Sequence, residues 1–309
     1  MRQLVASVAL FLFTTPAWAD GETYPAPAAE TPRRLGGHRF VPSTEVEWGF
    51  IDSWVSSTTL VGFTEIEGIP ARSPLAAILE DQEAKEVVVG QSFGGSWALL
   101  PWLAATARVT AYGLIPRDTV SSIALGASEL FRSEVGGTAR LLRRDQWQLS
   151  ARATLAWGET RSLLPARLPS TPYVKGDVGS IEPMLIGAYA PAPWVGLQAT
   201  VSYAWRRLEV SETDDVHTLR GAAAASFTVP RLPVTALVGF SVAHDFQRDL
   251  STPNATVLFG GAATRMRGEV EVFYQGRRDF DLGVGFAFAG DDDSIEERGT
   301  IFIQMGYYF

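Results

Sequence analysis

The chain contains no cysteine, only two lysines (Lys85 and Lys175) and only three histidines (His38, His217 and His244). Without cysteine there is no disulfide, no thiolate metal ligand, no thiol nucleophile and no lipidated N-terminal cysteine. No stretch approaches the ~18 consecutive apolar residues of a membrane-spanning helix. Phosphate-cradling glycine loops, zinc-binding helix motifs and nucleophile elbows are also missing. Basic side chains are outnumbered, 26 against 34 acidic, for a net charge of −8. That balance argues against a nucleic-acid partner, whose phosphates demand a basic face.

The N-terminus reads as a secretory leader over residues 1–19. Arg2 is its positive end, Leu4 to Phe13 its short apolar run, and Ala17-Trp18-Ala19 a small-x-small cleavage site before Asp20. Export through the inner membrane is therefore expected. Loss of Arg2 with the leader leaves 25 basic against 34 acidic side chains, a net charge of −9. Residues 20–45 are rich in Pro, Ala, Glu and Arg and carry no apolar period. They read as an extended periplasmic tail. The alternative for 20–53 is a plug that enters a lumen, above all through the more apolar Val46 to Ile51.

From Trp54 onward, segments of about ten to thirteen residues alternate apolar and polar. They are Trp54–Ile66, Glu86–Leu99, Trp102–Leu114, Phe131–Leu142, Gln146–Gly158, Val178–Ala190, Trp194–Leu208, His217–Val229, Pro233–His244, Glu269–Arg277, Phe280–Phe288 and Arg298–Phe309. The gaps run long, then short, in turn. A short helix is expected within the long gap at Pro74–Glu80, and Thr256–Ala263 is a possible extra strand.

The last segment ends Ile301-Phe302-Ile303-Gln304-Met305-Gly306-Tyr307-Tyr308-Phe309. Ile303, Met305, Tyr307 and Phe309 share one face of a strand. A terminal Phe with Tyr two residues before it and apolar alternation upstream resembles the sorting signal of Gram-negative outer-membrane β-barrels. That resemblance implies an all-β, antiparallel, up-and-down transmembrane barrel over residues 54–309, inserted by the outer-membrane barrel assembly machinery. Such barrels have an even strand count, short periplasmic turns and long external loops. Counting back from a periplasmic C-terminus, a full strand at Thr256–Ala263 would turn every upstream short turn outward. Read as part of an external loop, it leaves 12 strands, with 10 and 14 as the neighbouring even counts.

The faces agree with a lipid-facing exterior. In Gln146–Gly158, Trp147, Leu149, Ala151, Ala153, Leu155 and Trp157 lie on one side. Gln148, Ser150, Arg152, Thr154 and Ala156 lie on the other. Ten strand residues at ~3.3 Å each, tilted ~45°, rise about 23 Å, close to the ~25 Å apolar band of such barrels. Trp suits both edges of that band because its ring is apolar and its N–H reaches the headgroups. A soluble sandwich would instead turn a face rich in Lys and Glu to water. Here the polar face is Gly, Ser, Thr and Ala with isolated charges. The weakest pattern is Glu86–Leu99, where neither face is clearly apolar.

The inward set then includes Arg108, Arg132, Glu134, Arg140, Arg152, Glu182, Arg206, Arg220, Glu269, Glu271, Arg277 and Asp281. Arg pairs with carboxylates in a fixed planar geometry, so these residues either brace the barrel from inside or form a constriction that selects solutes by charge. The sequence leaves both readings open. The acidic runs Asp214-Asp215, Asp291–Asp293 and Glu296-Glu297 lack the spaced ligands and turn glycine of a calcium loop and read as solvated loops. No metal or cofactor is expected.

An enzyme is not expected. A resemblance to the outer-membrane phospholipases would need a local His, Ser and Asn signature that none of the three histidines carries. His244-Asp245 at a strand end resembles the Asp/His placement of barrel proteases in that pair alone. Tyr274-Gln275-Gly276-Arg277-Arg278-Asp279-Phe280-Asp281-Leu282-Gly283 is faintly similar to outer-membrane hydrocarbon and fatty-acid transporters, whose better-known members have 14 strands and an ordered N-terminal hatch. The expected function is a porin-like passive channel or transporter for small solutes or apolar compounds. The alternatives are a closed structural or adhesive barrel and, more remotely, a surface hydrolase. The expected partners are the lipid bilayer and lipopolysaccharide, and the oligomeric state is left open.

Overall fold

In the computed structural model, residues 33–66, 84–124, 126–163, 173–209, 213–229, 231–246, 264–291 and 296–309 are described. Twelve antiparallel strands close into a barrel in which every strand pairs with its sequence neighbours. Strands β3 (Trp54–Ile66), β4 (Ala84–Leu100), β5 (Leu103–Pro116) and β6 (Ala127–Arg143) form the first third. Strands β7 (Trp147–Leu163), β8 (Tyr173–Ala192), β9 (Val195–Glu209) and β10 (Thr213–Thr228) follow. The wall ends with β11 (Val234–Asp245), β12 (Thr264–Tyr274), β13 (Phe280–Asp291) and β14 (Glu296–Tyr308). Closure is made by β14 on β3, in register from Tyr308 opposite Trp54 to Glu296 opposite Ile66. Before the barrel, β1 (Arg34–Leu35) and β2 (His38–Arg39) form a two-stranded hairpin.

The alternation has a physical sense opposite to that of a water-soluble barrel. Val270, Val272, Tyr274, Val284, Phe286 and Phe288 all point outward and are exposed. Glu269, Glu271, Phe273, Asp281 and Ala287 on the same strands are buried. An exterior this apolar is stable only in hydrocarbon, so the chain spans a bilayer. Trp147 and Trp157 stand outward at the two ends of the apolar part of β7. Ile303, Met305, Tyr307 and Phe309, the residues expected to form a sorting signal, also face out.

Five short turns join strands at one end, which we call the turn end. Beside them the chain enters β3 and leaves β14, where the Phe309 N–H donates to the Ser53 carbonyl at 3.1 Å. The other end carries the remaining connections and is called the loop end. Several strands run past the expected limits there: β6 starts at Ala127, β7 reaches Leu163, β8 starts at Tyr173 and β12 at Thr264. The added residues include Glu129, Glu159 and Arg161. Their ladder continues beyond the apolar band, so hydropathy alternation marks only the embedded part. A six-residue helix, α1 (Thr119–Ala124), unexpected from the sequence, sits between β5 and β6. The Asp118 carboxylate accepts from the Ser121 N–H at 2.7 Å and so caps it. The helix expected at Pro74–Glu80 and the segment Thr256–Ala263 lie outside the described residues.

The weak strand has its explanation in β4. Phe93 points outward and Gly94 and Ser96 inward, but Gln91 also faces out. There it donates to Ser57 Oγ at 2.8 Å and accepts from Thr59 Oγ1 at 2.6 Å. The polar trio satisfies itself on the lipid side and blurs the hydropathy pattern.

Because Phe286 lies mid-strand on the outward face, Phe286→Arg is expected to destabilise the folded barrel by about 2–4 kcal/mol. Reversible urea unfolding in phospholipid vesicles checks this; a change under about 0.5 kcal/mol would place this face away from hydrocarbon.

Candidate functional site: the filled lumen

Residues 33–53 lie inside the barrel rather than trailing from it. The extended-tail expectation therefore does not describe residues 33–45, and residues 20–32 lie outside the described part. The cause is chemical: the segment carries Phe40, Val41, Val46, Trp48, Phe50 and Ile51, all buried. Lumen-facing wall residues supply the matching surface. Leu35, Phe40, Trp48 and Phe50 pack with Trp54, Ala188, Ala190 and Tyr308. Val41 and Val46 pack with Ala222, Ala224, Leu237 and Phe273. Gly196 lets the chain approach, because a Cβ there would collide with the rings of His38 and Phe40.

The segment has little regular structure, so its backbone polar groups need partners from the wall. Gln148 and Ser150 both donate to the Gly49 carbonyl, at 2.7 and 2.6 Å. Gln198 donates to the Val41 carbonyl at 3.1 Å. These inward amides are the reason two glutamines stand on the lumen face.

At the turn end the β1–β2 hairpin turns through Gly36 and Gly37, with φ of 53° and 84°, values that favour glycine. Arg33 and Arg39 both clasp the buried Asp281, the second at 2.6 Å. Arg33 also donates to the Arg278 carbonyl at 2.8 Å and lies 3.5 Å over the Tyr308 ring. His38 sits between the Pro193 carbonyl, 3.3 Å from Nδ1, and the Ser226 hydroxyl, 2.8 Å from Nε2. Burial pushes the His38 ring down to about 4, against the Pro193 bond that raises it, so the ring is neutral at pH 7. Nδ1 then donates to the carbonyl and Nε2 accepts from Ser226.

The apex of the segment is a turn, with Ser43 Oγ accepting from the N–H groups of Glu45 (3.0 Å) and Val46 (2.9 Å). Ser43 and Thr44 hydroxyls both donate to Glu269, which also accepts from the Thr44 N–H at 3.0 Å. Glu271, two positions along the same face, is fully buried beside it. Glu45 accepts from Arg220 (3.1 Å) and Ser241 (2.6 Å) and pairs with Arg267 at 3.2 Å. Glu47 pairs with Arg152 at 2.9 Å and with Arg108 at 3.5 Å. Burial pushes the Glu47 carboxyl up, but Arg108, Arg152 and Arg220 outweigh it and hold it at about 2.

Towards the loop end the lumen is lined by charge that the segment does not touch. Arg132 pairs with Glu134 at 2.9 Å, Arg265 with Asp245 at 3.0 Å, and Glu182 accepts from Ser202 at 2.6 Å. Arg206 shares this region with Arg132, Arg265, Glu182 and Asp245. Arg140 lies half-buried on β6 near the turn end. Of the twelve inward residues expected from the sequence, Arg277 alone is misplaced. It stands in the β12–β13 turn, 66% exposed, paired with Asp279 at 2.7 Å. The strand stops at Tyr274, so alternation no longer governs position 277. The expectation missed Arg33, Arg39, Glu45 and Glu47 because they precede the first strand. It missed Arg265 and Arg267 because β12 begins five residues earlier than its apolar pattern. His244 and Asp245 point to opposite faces: His244 contacts Thr264 Oγ1 at 3.1 Å, while Asp245 meets Thr218 and Arg265 inside.

No family model and no curated protein matches the sequence. Solved structures do match in shape. The translocator domain of the autotransporter NalP from Neisseria meningitidis aligns over 84% of this chain and 88% of its own, at 12% identity and TM-score 0.56. The β domain of the Bordetella autotransporter BrkA aligns over 84% and 100%, at 12% identity and TM-score 0.52. An outer-membrane channel of Pseudomonas putida F1 aligns over 88% and 100%, at 9% identity and TM-score 0.52.

Two outcomes test how the segment is held. Asp281→Asn removes the partner of two buried guanidinium groups, and breaking a buried pair this way costs about 3–5 kcal/mol. Hydrogen exchange across residues 33–40 is expected to accelerate while the barrel strands stay protected. The second outcome concerns Asp52, whose Oδ1 accepts from Trp48 Nε1 at 2.8 Å. Burial raises its carboxyl to about 7, against the Trp48 bond and Arg33, with Asp281 adding to the rise. A folded-state value above the unfolded one favours docking at low pH, fully below about 4, and loses that contribution as pH rises through about 7. Asp52→Asn should therefore flatten the pH dependence of protease protection of residues 33–53 between pH 5 and pH 8. An unchanged slope would assign it to another group.

These observations carry one assignment of kind: the chain has the fold of the outer-membrane β-barrels.

Proposed function

We propose that the chain is an exported outer-membrane channel for small solutes, closed on its periplasmic side by its own residues 33–53. The turn end is then periplasmic and the loop end external, with lipopolysaccharide around the external rim. The observation that carries this reading is the division of the lumen. Its turn-end half is filled by the segment. The loop-end half is lined by partly solvated charged side chains, with Arg132 at 34% and Arg267 at 52% exposure. A solute path uses a charged, solvated inner basin of this kind to select by charge. The apolar packing around Phe40 and Phe50 favours a second reading, a permanently closed barrel that acts through its external loops.

A tether separates the two. A Cβ on Gly49 would lie 3.7 Å from Ser150 Cβ, the spacing of a disulfide, with Ile186 as the obstructing neighbour. The protein has no other cysteine. The triple variant Gly49→Cys, Ser150→Cys, Ile186→Ala should form one bridge. In liposomes, the full wild-type chain is expected to pass small solutes. The oxidised variant should pass them at least tenfold more slowly and recover on reduction. Absence of flux from a folded wild-type barrel overturns the channel reading and leaves the closed barrel; equal flux with the bridge closed overturns closure by residues 33–53.

A further inference from the structure

The two carboxylates at the apex are held as a ligand would be held. Each is gripped by arginines from two different strands: Glu47 by Arg108 of β5 and Arg152 of β7, and Glu45 by Arg220 of β10 and Arg267 of β12. Ser241 adds a hydroxyl at 2.6 Å to Glu45. Four wall cations thus face two carboxylates that belong to the removable segment rather than to the wall. Wall acids near them are fewer than the cations. Glu134 stands with Arg132 at 2.9 Å and reaches Arg108 only at 3.8 Å. Glu269 accepts from Ser43 and Thr44, which leave with the apex, so it stays behind as a wall acid on the face of β12 that carries Arg267. Withdrawal of the apex would take their carboxylate partner from Arg152, Arg220 and Arg267 and leave Arg108 with Glu134 at 3.8 Å, an excess of positive charge across the middle of the lumen.

Three of these cations have solvated surface, while Arg152 is buried. Arg267 is 52% exposed, Arg108 34% and Arg220 30%. A guanidinium has five donors in a planar fork, and in each pair here only one or two reach the plug carboxylate. A second carboxylate can therefore approach the same arginines before the first has left. Exchange of one carboxylate for another also avoids the intermediate that would cost most, a buried guanidinium without a partner.

We infer that Arg108, Arg152, Arg220 and Arg267 form a binding site for small polycarboxylate solutes, that Glu45 and Glu47 occupy it as internal stand-ins, and that a solute passes by displacing them. Glu45 and Glu47 stand two residues apart, so the site takes two carboxylates on one short molecule rather than one. The class of solute follows from the donor set: several arginines and a serine hydroxyl favour compact anions. The inference rests on the channel reading and adds the substrate class and the means of opening to it.

The test uses the full chain in planar bilayers under a potassium chloride gradient, with citrate as the polycarboxylate probe and glucose as the uncharged one. Glu45→Gln with Glu47→Gln is expected to raise the open fraction at least tenfold and to move the reversal potential towards that of chloride. Adding Arg152→Gln and Arg220→Gln on that background should abolish the chloride preference. In wild type, millimolar citrate on the external side should increase opening, while glucose should not. Heat-modifiable mobility on gels checks that each variant keeps the barrel. An open but non-selective or cation-selective Glu45→Gln, Glu47→Gln pore overturns the inference and leaves the channel reading standing, as does citrate no more effective than glucose. If folded barrels of all variants conduct nothing, the channel reading falls and the inference with it.

Discussion

Hydrocarbon offers no partner for a peptide N–H or C=O, and that constraint organises the molecule. A sheet with a free edge would expose a row of unpaired groups to lipid, so β14 must find β3. Their thirteen-residue register, Trp54 with Tyr308 through Ile66 with Glu296, removes the last edge. Closure has two consequences. The outer face must be apolar over the height of the bilayer, which gives Val270, Val284, Phe286 and their neighbours their outward exposure. It also encloses a lumen, which must hold either water or protein, since a void would forfeit packing on all sides. Here it holds residues 33–53 at one end and solvated charge at the other.

The filling is chemically two-sided. Near the turn end the segment is held by rings and methyl groups against Ala188, Ala190 and Tyr308, with Arg33 and Arg39 closing over Asp281. At the apex it is held chiefly through hydroxyls and carboxylates. Irregular backbone in such a place is tolerable only because inward side chains answer it: Gln148, Ser150 and Gln198 each meet a segment carbonyl. These wall residues have no role in closing the barrel. Their presence on the inner face is a record of what the lumen contains.

Period-two alternation made the wall legible. It placed Arg108, Arg152, Arg220, Glu269 and Asp281 inside, and parity with the terminal strand fixed the strand count. What it could not reach has a common physical cause. A strand signals itself because its two faces meet different solvents; beyond the bilayer both faces meet water, so the extensions of β6 and β7 carry no hydropathy contrast. Arg265 and Arg267 were hidden by Gly268, which interrupts the outward apolar row between Met266 and Val270, and Arg277 was misplaced by carrying alternation past Tyr274 into a turn. Residues 33–53 were harder still. Their apolar residues pack against a curved wall from an irregular backbone, and only Val46, Trp48 and Phe50 alternate, too short a run to mark a strand. The surviving signal is compositional: Phe40, Val41, Val46, Trp48, Phe50 and Ile51 are too many large apolar groups for a solvated tail.

The division of the segment into an apolar base and a charged apex also sets which part can move. The base lies beside the turns, and freeing it would expose Phe40, Phe50 and Leu35 together. Fully burying each such side chain contributes about 1.5–3 kcal/mol, so the base is the costly part to release. The apex is held differently. Its ion pairs persist against water because leaving the arginines without a carboxylate is costly, and a competing anion supplies an equal partner. Burial of the charges raises the cost of leaving a pair broken but not the cost of exchanging it. An apolar grip is indifferent to dissolved anions, whereas a charged grip is sensitive to them. The structure therefore couples its most solute-sensitive contacts to the point where the segment blocks the middle of the lumen, while its least sensitive contacts keep the segment attached to the mouth.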